Sequence, residues 1–175
     1  MIKILQVRNI DSFVESRRQK TSEKDKKIVQ SILNDVRKKG DSAVKKYERK
    51  FNGIKTSQLR VSVKEIKEAR SKISRGEWHG LEVMSSILHY EESTFLQGFS
   101  NPKNWKGKSA KTSFISIPSV GCYIPGGQAR YPSSVVMSVK PAKIAGVKRI
   151  VVVSPPGRDG KIDPLTIAAA KRCGA

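Results

Sequence analysis

The chain has 175 residues, 37% of them hydrophobic, and a formal net charge of +20. That length suffices for one domain with a real core, and no apolar run approaches the length needed to cross a bilayer. Cys122 and Cys173 are the only cysteines and lie far apart, which excludes a disulfide framework and points to a reducing cytoplasm.

Residues 1–98 read as a helical region. The opening "MIKILQVRNIDSF" has neither a long apolar core nor a small-residue cleavage site, so it reads as no signal peptide. Ser22 is an expected N-cap, followed by Glu23 and Asp25 in the first turn and an apolar stripe of Ile28, Val29, Ile32, Leu33 and Val36. Gly40 stands where such a helix should stop, and Asp41 can cap the next, with Val44, Tyr47 and Phe51 on one face. Ser62 and Glu65 match a capping box, and Val63, Ile66, Ala69 and Ile73 follow at helical spacing. A longer helix is expected from Glu77 to about Gln97, with Trp78, Leu81, Met84, Leu88 and Phe95 turned inward.

Residues 99–175 read differently. "GFSNPKNWKGKSAK" is a polar connection. "TSFISIP" alternates like a strand and is expected to pair as a hairpin with a second strand in "SVGCYIP". Pro132 and Ser133 open a helix to about Ala145, with a kink or a late start expected from Pro141. "RIVVVSPP" reads as a buried strand. Asp163 and Pro164 begin a last helix that Gly174 caps. The fold class is therefore α/β: a helical N-terminal region, then an incomplete Rossmann-like αβα unit with a β-hairpin. The sheet reads as unfinished, with an exposed edge.

The chemistry-bearing residues are few. His79 and His89, ten positions apart on one helix, cannot chelate together and read as ordinary imidazoles. Glu91 and Glu92 read as a solvated face, and no metal ligands or catalytic group are assigned. Cys122 reads as a small buried hydrophobe. Pro125, Gly126 and Gly127 form a turn that permits positive φ and close backbone approach, ahead of a helix whose free N–H groups can face an anion. Neither a Gly-x-Gly-x-x-Gly nor a Gly-Lys-Ser/Thr motif is present, so the turn is either a phosphate cradle or plain structure. Tyr123, at a strand end beside the turn, is either a lid over a cofactor or a core aromatic. The basic excess is spread along the chain and reads as solvated helix faces rather than a specific nucleic-acid site.

The stretch "VGCYIPGGQARYPSSVVMSVKPAKIAGVKRIVVVSPP" resembles the signature region of the histidinol dehydrogenase family, where "VGLYVPGG" precedes a similar helix and strand. "ILNDVRKKGDSAVKKYERKFNG" resembles the family's upstream pattern as well. The resemblance implies an enzyme of histidine biosynthesis that oxidises L-histidinol to L-histidine through the aldehyde, using NAD and zinc, as a homodimer. It implies NAD contacts at Tyr123 and, beside it, at Pro125, Gly126 and Gly127. The family's zinc ligands and its Glu-His catalytic pair match no residue of this sequence. The chain is therefore expected to be the N-terminal portion of such an enzyme, inactive by itself, with a separate C-terminal half as a possible partner. The rival expectations are a non-catalytic basic interaction module and a fragment of a related dehydrogenase acting on another alcohol.

Overall fold

The computed structural model describes residues 7–17, 22–55, 58–126 and 130–175. The chain divides into two compact units, Met1–Phe51 and Asn52–Ala175.

The first unit is helical. Helix α1 spans Ile10–Arg17, α2 spans Glu23–Lys39 and α3 begins at Asp41 and runs to Asn52. Ser22 caps α2 as expected, accepting from the Lys24 N–H. Asp41 is not the cap of α3 but its first residue; the Gly40 carbonyl takes up the Ala43 and Val44 N–H groups instead. Asp35 pins α3 to α2. Its carboxylate accepts from the Tyr47 hydroxyl at 2.8 Å and lies 3.4 Å from Lys46 Nζ. Those two bonds hold Asp35 below the usual carboxylate range, and the same bond raises Tyr47. The apolar stripe of α2 carries no buried residue, and Ile28, Val29 and Leu33 are about half exposed.

The second unit holds the core. Helix α4 (Val63–Glu68) starts with the expected capping box of Ser62 and Glu65 and runs on as a 3₁₀ turn, Ala69–Lys72. Helix α5 (Arg75–Ser100) starts earlier than the sequence implied, because Ser74 and Glu77 form a second capping box. Strands β1 (Lys103–Trp105) and β2 (Lys108–Ala110) form an antiparallel hairpin. Strands β3 (Ser119–Tyr123) and β4 (Arg149–Val153) pair in parallel, joined by α6 (Pro132–Ile144); α7 (Pro164–Cys173) follows. The helix spans Pro141, so it does not start late.

The α/β class stands, but the hairpin sits elsewhere than expected. It lies inside the stretch read as a connection, turning on Lys106 (φ 46) and Gly107 (φ 74), the left-handed pair that a tight two-residue turn requires. Residues 112–117 form no strand: Ile115 is 93% exposed. Alternation supplies a face but not an edge to pair with, and β3 takes β4 as its partner through the helical crossover.

One face of the parallel pair is packed. Val120, Cys122, Ile150 and Val152 meet Val135, Val136 and Val139 of α6, Leu165, Ala168, Ala169 and Cys173 of α7, and Leu81 of α5. Cys122 is buried, as read, and burial pushes its thiol up. Phe95, expected inward, is 57% exposed; its ring meets that of Phe99 at a tilt of 56°, and Phe99 in turn meets Phe114 edge-on. Ser85 of α5 is buried, and its hydroxyl has no hydrogen-bond partner among the described residues. Ser85→Ala should therefore raise stability by about 1 kcal/mol, since it removes an unsatisfied polar atom at little loss of volume. A higher urea midpoint with an unchanged m-value is the expected reading.

Candidate functional site

In open parallel sheets, ligands bind where the carboxyl ends of the strands meet the loops that follow them. Here those loops leave β3 at Ile124 and β4 at Ser154. The alternation that buries Cys122 of β3 and Ile124 just beyond it turns Tyr123 outward, so the residue is 69% exposed at the strand end. Tyr123 is thus not a core aromatic.

The two loops touch at Gly126. A Cβ built there would lie 3.0 Å from the Pro155 carbonyl oxygen, 3.2 Å from Pro155 Cδ and 3.4 Å from Ser154 Oγ. The sequence reading allowed positive φ at this turn, but Gly126 is not among the positive-φ glycines. What it needs is space, because two backbones pass where a side chain would stand. Pro125 precedes it, exposed at the surface. Gly127 lies outside the described residues.

Helix α6 starts next to this contact. Its N-cap, Tyr131, makes no side-chain cap bond, and Pro132 at N1 has no N–H to satisfy. The Ser133 and Ser134 N–H groups face the helix entrance without a partner among the described residues, at the positive end of the helix dipole.

Arg130 fixes this entrance. Its guanidinium donates to Glu77 and, at 3.1 Å, to Asp163 Oδ1. Each carboxylate divides its oxygens. Glu77 Oε2 accepts from the Ser74 N–H at 2.8 Å, and Asp163 Oδ2 accepts from the Thr166 N–H at 3.0 Å. One arginine thus links the first turns of α5 and α7, one residue before the N-cap of α6. The Ser74 bonds, and then Arg130, hold Glu77 below the usual carboxylate range. Partial burial lowers Arg130, but the bonds and charges of Asp163 and Glu77 outweigh it and raise the guanidinium overall. With both neighbours anionic, Arg130 is a clamp rather than a free cation.

A family model described as histidinol dehydrogenase matches residues 15–175. The chain belongs to the histidinol dehydrogenase family. This is an oxidoreductase family, and the chain corresponds to its N-terminal portion. It is 39% identical over 158 residues to a histidinol dehydrogenase of Bacillus licheniformis, covering 87% of this chain and 36% of that protein. With the Methanosarcina barkeri histidinol dehydrogenase it shares 39% identity over 150 residues, covering 85% and 35%. The crystal structure of histidinol dehydrogenase from Elizabethkingia anophelis superposes with a TM-score of 0.79 at 26% identity, covering 95% of this chain and 39% of that one. The chain thus spans about a third of the length of the curated relatives it matches.

For a histidinol dehydrogenase the described residues divide cleanly. The Tyr123–Gly126 bend, with the α6 entrance beside it, fits one wall of a dinucleotide site: an exposed tyrosine, a backbone cradle that a Cβ would fill, and N–H donors without a partner among the described residues. They do not fit a zinc site, because no group of three His, Cys, Asp or Glu side chains gathers among them. His79 and His89 stay exposed on α5, about 15 Å apart along its axis. Among the described residues, no helix is long and apolar enough to cross a membrane. Sequence reasoning missed Arg130 and its two carboxylates as the frame of this wall. The Ser-x-x-Glu signal at 74–77 was there to be found; the arginine carries no local signature.

Proposed function

We infer that this chain supplies one wall of the NAD site of a cytoplasmic histidinol dehydrogenase, within residues 99–175, with residues 1–98 as a helical extension. In that role the family's overall reaction takes L-histidinol to L-histidine through the aldehyde, with two NAD molecules each accepting a hydride. The observation that carries the reading is the close approach of Gly126 to Pro155 beside an exposed Tyr123. The Tyr123 ring covers an apolar face of the dinucleotide, the glycine backbone lets the phosphates approach, and the Ser133 and Ser134 N–H groups meet their charge. Zinc, which in this family holds the substrate, would take its ligands from polypeptide outside this segment, as would the acid-base pair. The active enzyme is a homodimer in this reading.

The test is complementation. The 175-residue chain is combined with the part of the Bacillus licheniformis enzyme that lies beyond the matched segment, and NADH formation from L-histidinol is followed by absorbance. Turnover is expected with both parts and with neither alone. A combined protein that folds and binds zinc yet forms no NADH would reject the reading. In the active combination Tyr123→Ala should raise the KM for NAD about tenfold through loss of ring contact, while Tyr123→Phe retains it. Because Tyr123 is 69% exposed, neither change should move the melting temperature of the 175-residue chain.

A further inference from the structure

Three helix N-termini meet at the Arg130 guanidinium. It reaches those of α5 and α7 through Glu77 and Asp163, and it is tied to that of α6 by the chain, since Arg130 directly precedes the N-cap Tyr131. Each N-terminus carries about half a unit of positive charge. Two of the three are complemented by their own carboxylates. Glu77 closes the capping box of α5, and Asp163 caps α7 by accepting from the Thr166 N–H. Of the three, only α6 has no side-chain cap bond.

That arrangement sets a problem at the α6 entrance. Glu77 and Asp163 bring two negative charges within one arginine side chain of the place where the Ser133 and Ser134 N–H groups face outward. Two carboxylates there repel the same phosphates that the N–H groups attract. The guanidinium resolves it. Its one positive charge, together with about half a unit from each capped helix end, leaves the cluster close to neutral. Without Arg130, about one unit of negative charge faces the entrance. Both carboxylate side chains are about one-third exposed, so the effect is moderate and sensitive to salt.

We propose that Arg130 is a positioning residue for the dinucleotide's pyrophosphate: it acts through Glu77 and Asp163, cancelling their charge beside the α6 entrance and holding the first turns of α5 and α7 to it. This rests on the functional reading above and deepens it, because a plain structural staple would move stability without distinguishing a charged ligand from a neutral one.

NAD and adenosine are titrated into the 175-residue chain at low ionic strength, and the Tyr123, Ser133 and Ser134 amides are followed by NMR. Adenosine carries a ring but no phosphate. Arg130→Met should raise the dissociation constant for NAD about fivefold and leave that for adenosine unchanged. Raising the salt should narrow the NAD difference. Arg130→Lys should fall between wild type and Arg130→Met. The decisive variant is Arg130→Met combined with Glu77→Gln and Asp163→Asn. It keeps an oxygen for each cap bond and removes both negative charges, so it should bind NAD at least as tightly as the wild type. Unchanged NAD affinity in Arg130→Met, equal losses for NAD and adenosine, or a triple variant that binds NAD more weakly than the wild type would each overturn the proposal. Should Arg130→Met not fold, the triple variant carries the test by itself. A wild-type chain whose amides NAD does not move rejects the functional reading and this proposal together, whereas NAD binding indifferent to Arg130 rejects the proposal alone.

Discussion

Gly126→Ala should destabilise the protein by about 1–3 kcal/mol, the usual cost of forcing a methyl group into a filled space. The added carbon meets the Pro155 carbonyl oxygen and ring at 3.0 and 3.2 Å, so backbone, not a flexible side-chain end, must give way. The two loops then separate at the mouth of the parallel pair. In the complemented enzyme the same substitution should reduce kcat/KM for NAD far more than Tyr123→Ala does, since it displaces the wall rather than trimming one ring from it. Urea denaturation reads the first effect and steady-state kinetics the second. A Gly126→Ala protein with wild-type stability and wild-type NAD kinetics would show that the close contact of the two loops has no consequence.

Arg130→Met should lower the melting temperature by a few degrees at neutral pH. It leaves the Glu77 and Asp163 carboxylates, about one-third exposed, without the cation they share. The pH dependence has a definite sign. Glu77 is held below the ordinary glutamate value of 4.5, so its contribution to stability is present above pH 4.5 and is lost as the pH falls through its lower folded value. Part of that depression comes from Arg130. The difference between wild type and Arg130→Met should therefore be largest near neutrality and shrink as the pH drops below 4.5. A difference that stays constant from pH 7 to pH 3 would assign the effect to lost packing of the arginine stem rather than to the ion pairs.

Much of this fold was legible in the sequence, and the failures share a cause. Local chemistry was read well: Ser22, Ser62 and Asp163 all cap their helices, because capping involves neighbours two or three residues apart. The Cys122 reading held for the same kind of reason, as a small apolar residue in a strand beside the core. Pairing was misread. Residues 112–117 alternate as a strand should, but alternation says nothing about whether an edge is available. The hairpin at 103–110 was overlooked because its strands are short and polar and its turn is Lys-Gly rather than Asn-Gly. The strand at 149–153 was read as buried from its composition, but only Ile150 and Val152 pack against the core, while Val151 and Val153 are 39% and 49% exposed.

The candidate site divides along the same line. Tyr123 and the glycine turn announced themselves as a motif at a strand end, though whether the tyrosine faced core or solvent depended on strand parity, and it faces solvent. The need for Gly126 came from Pro155, almost thirty positions away, which no local pattern reveals. Arg130 joins residues 53 positions upstream and 33 downstream, and only the folded chain brings them together.

The most direct measurement is an NMR titration of the 175-residue chain with NAD at physiological salt. The account predicts saturable, millimolar shifts confined to the amides of Tyr123, Ile124, Gly126, Ser133 and Ser134 and to the loop at Ser154. Shifts scattered over the lysine-rich helices that vanish as salt is raised, with those amides unmoved, would contradict it.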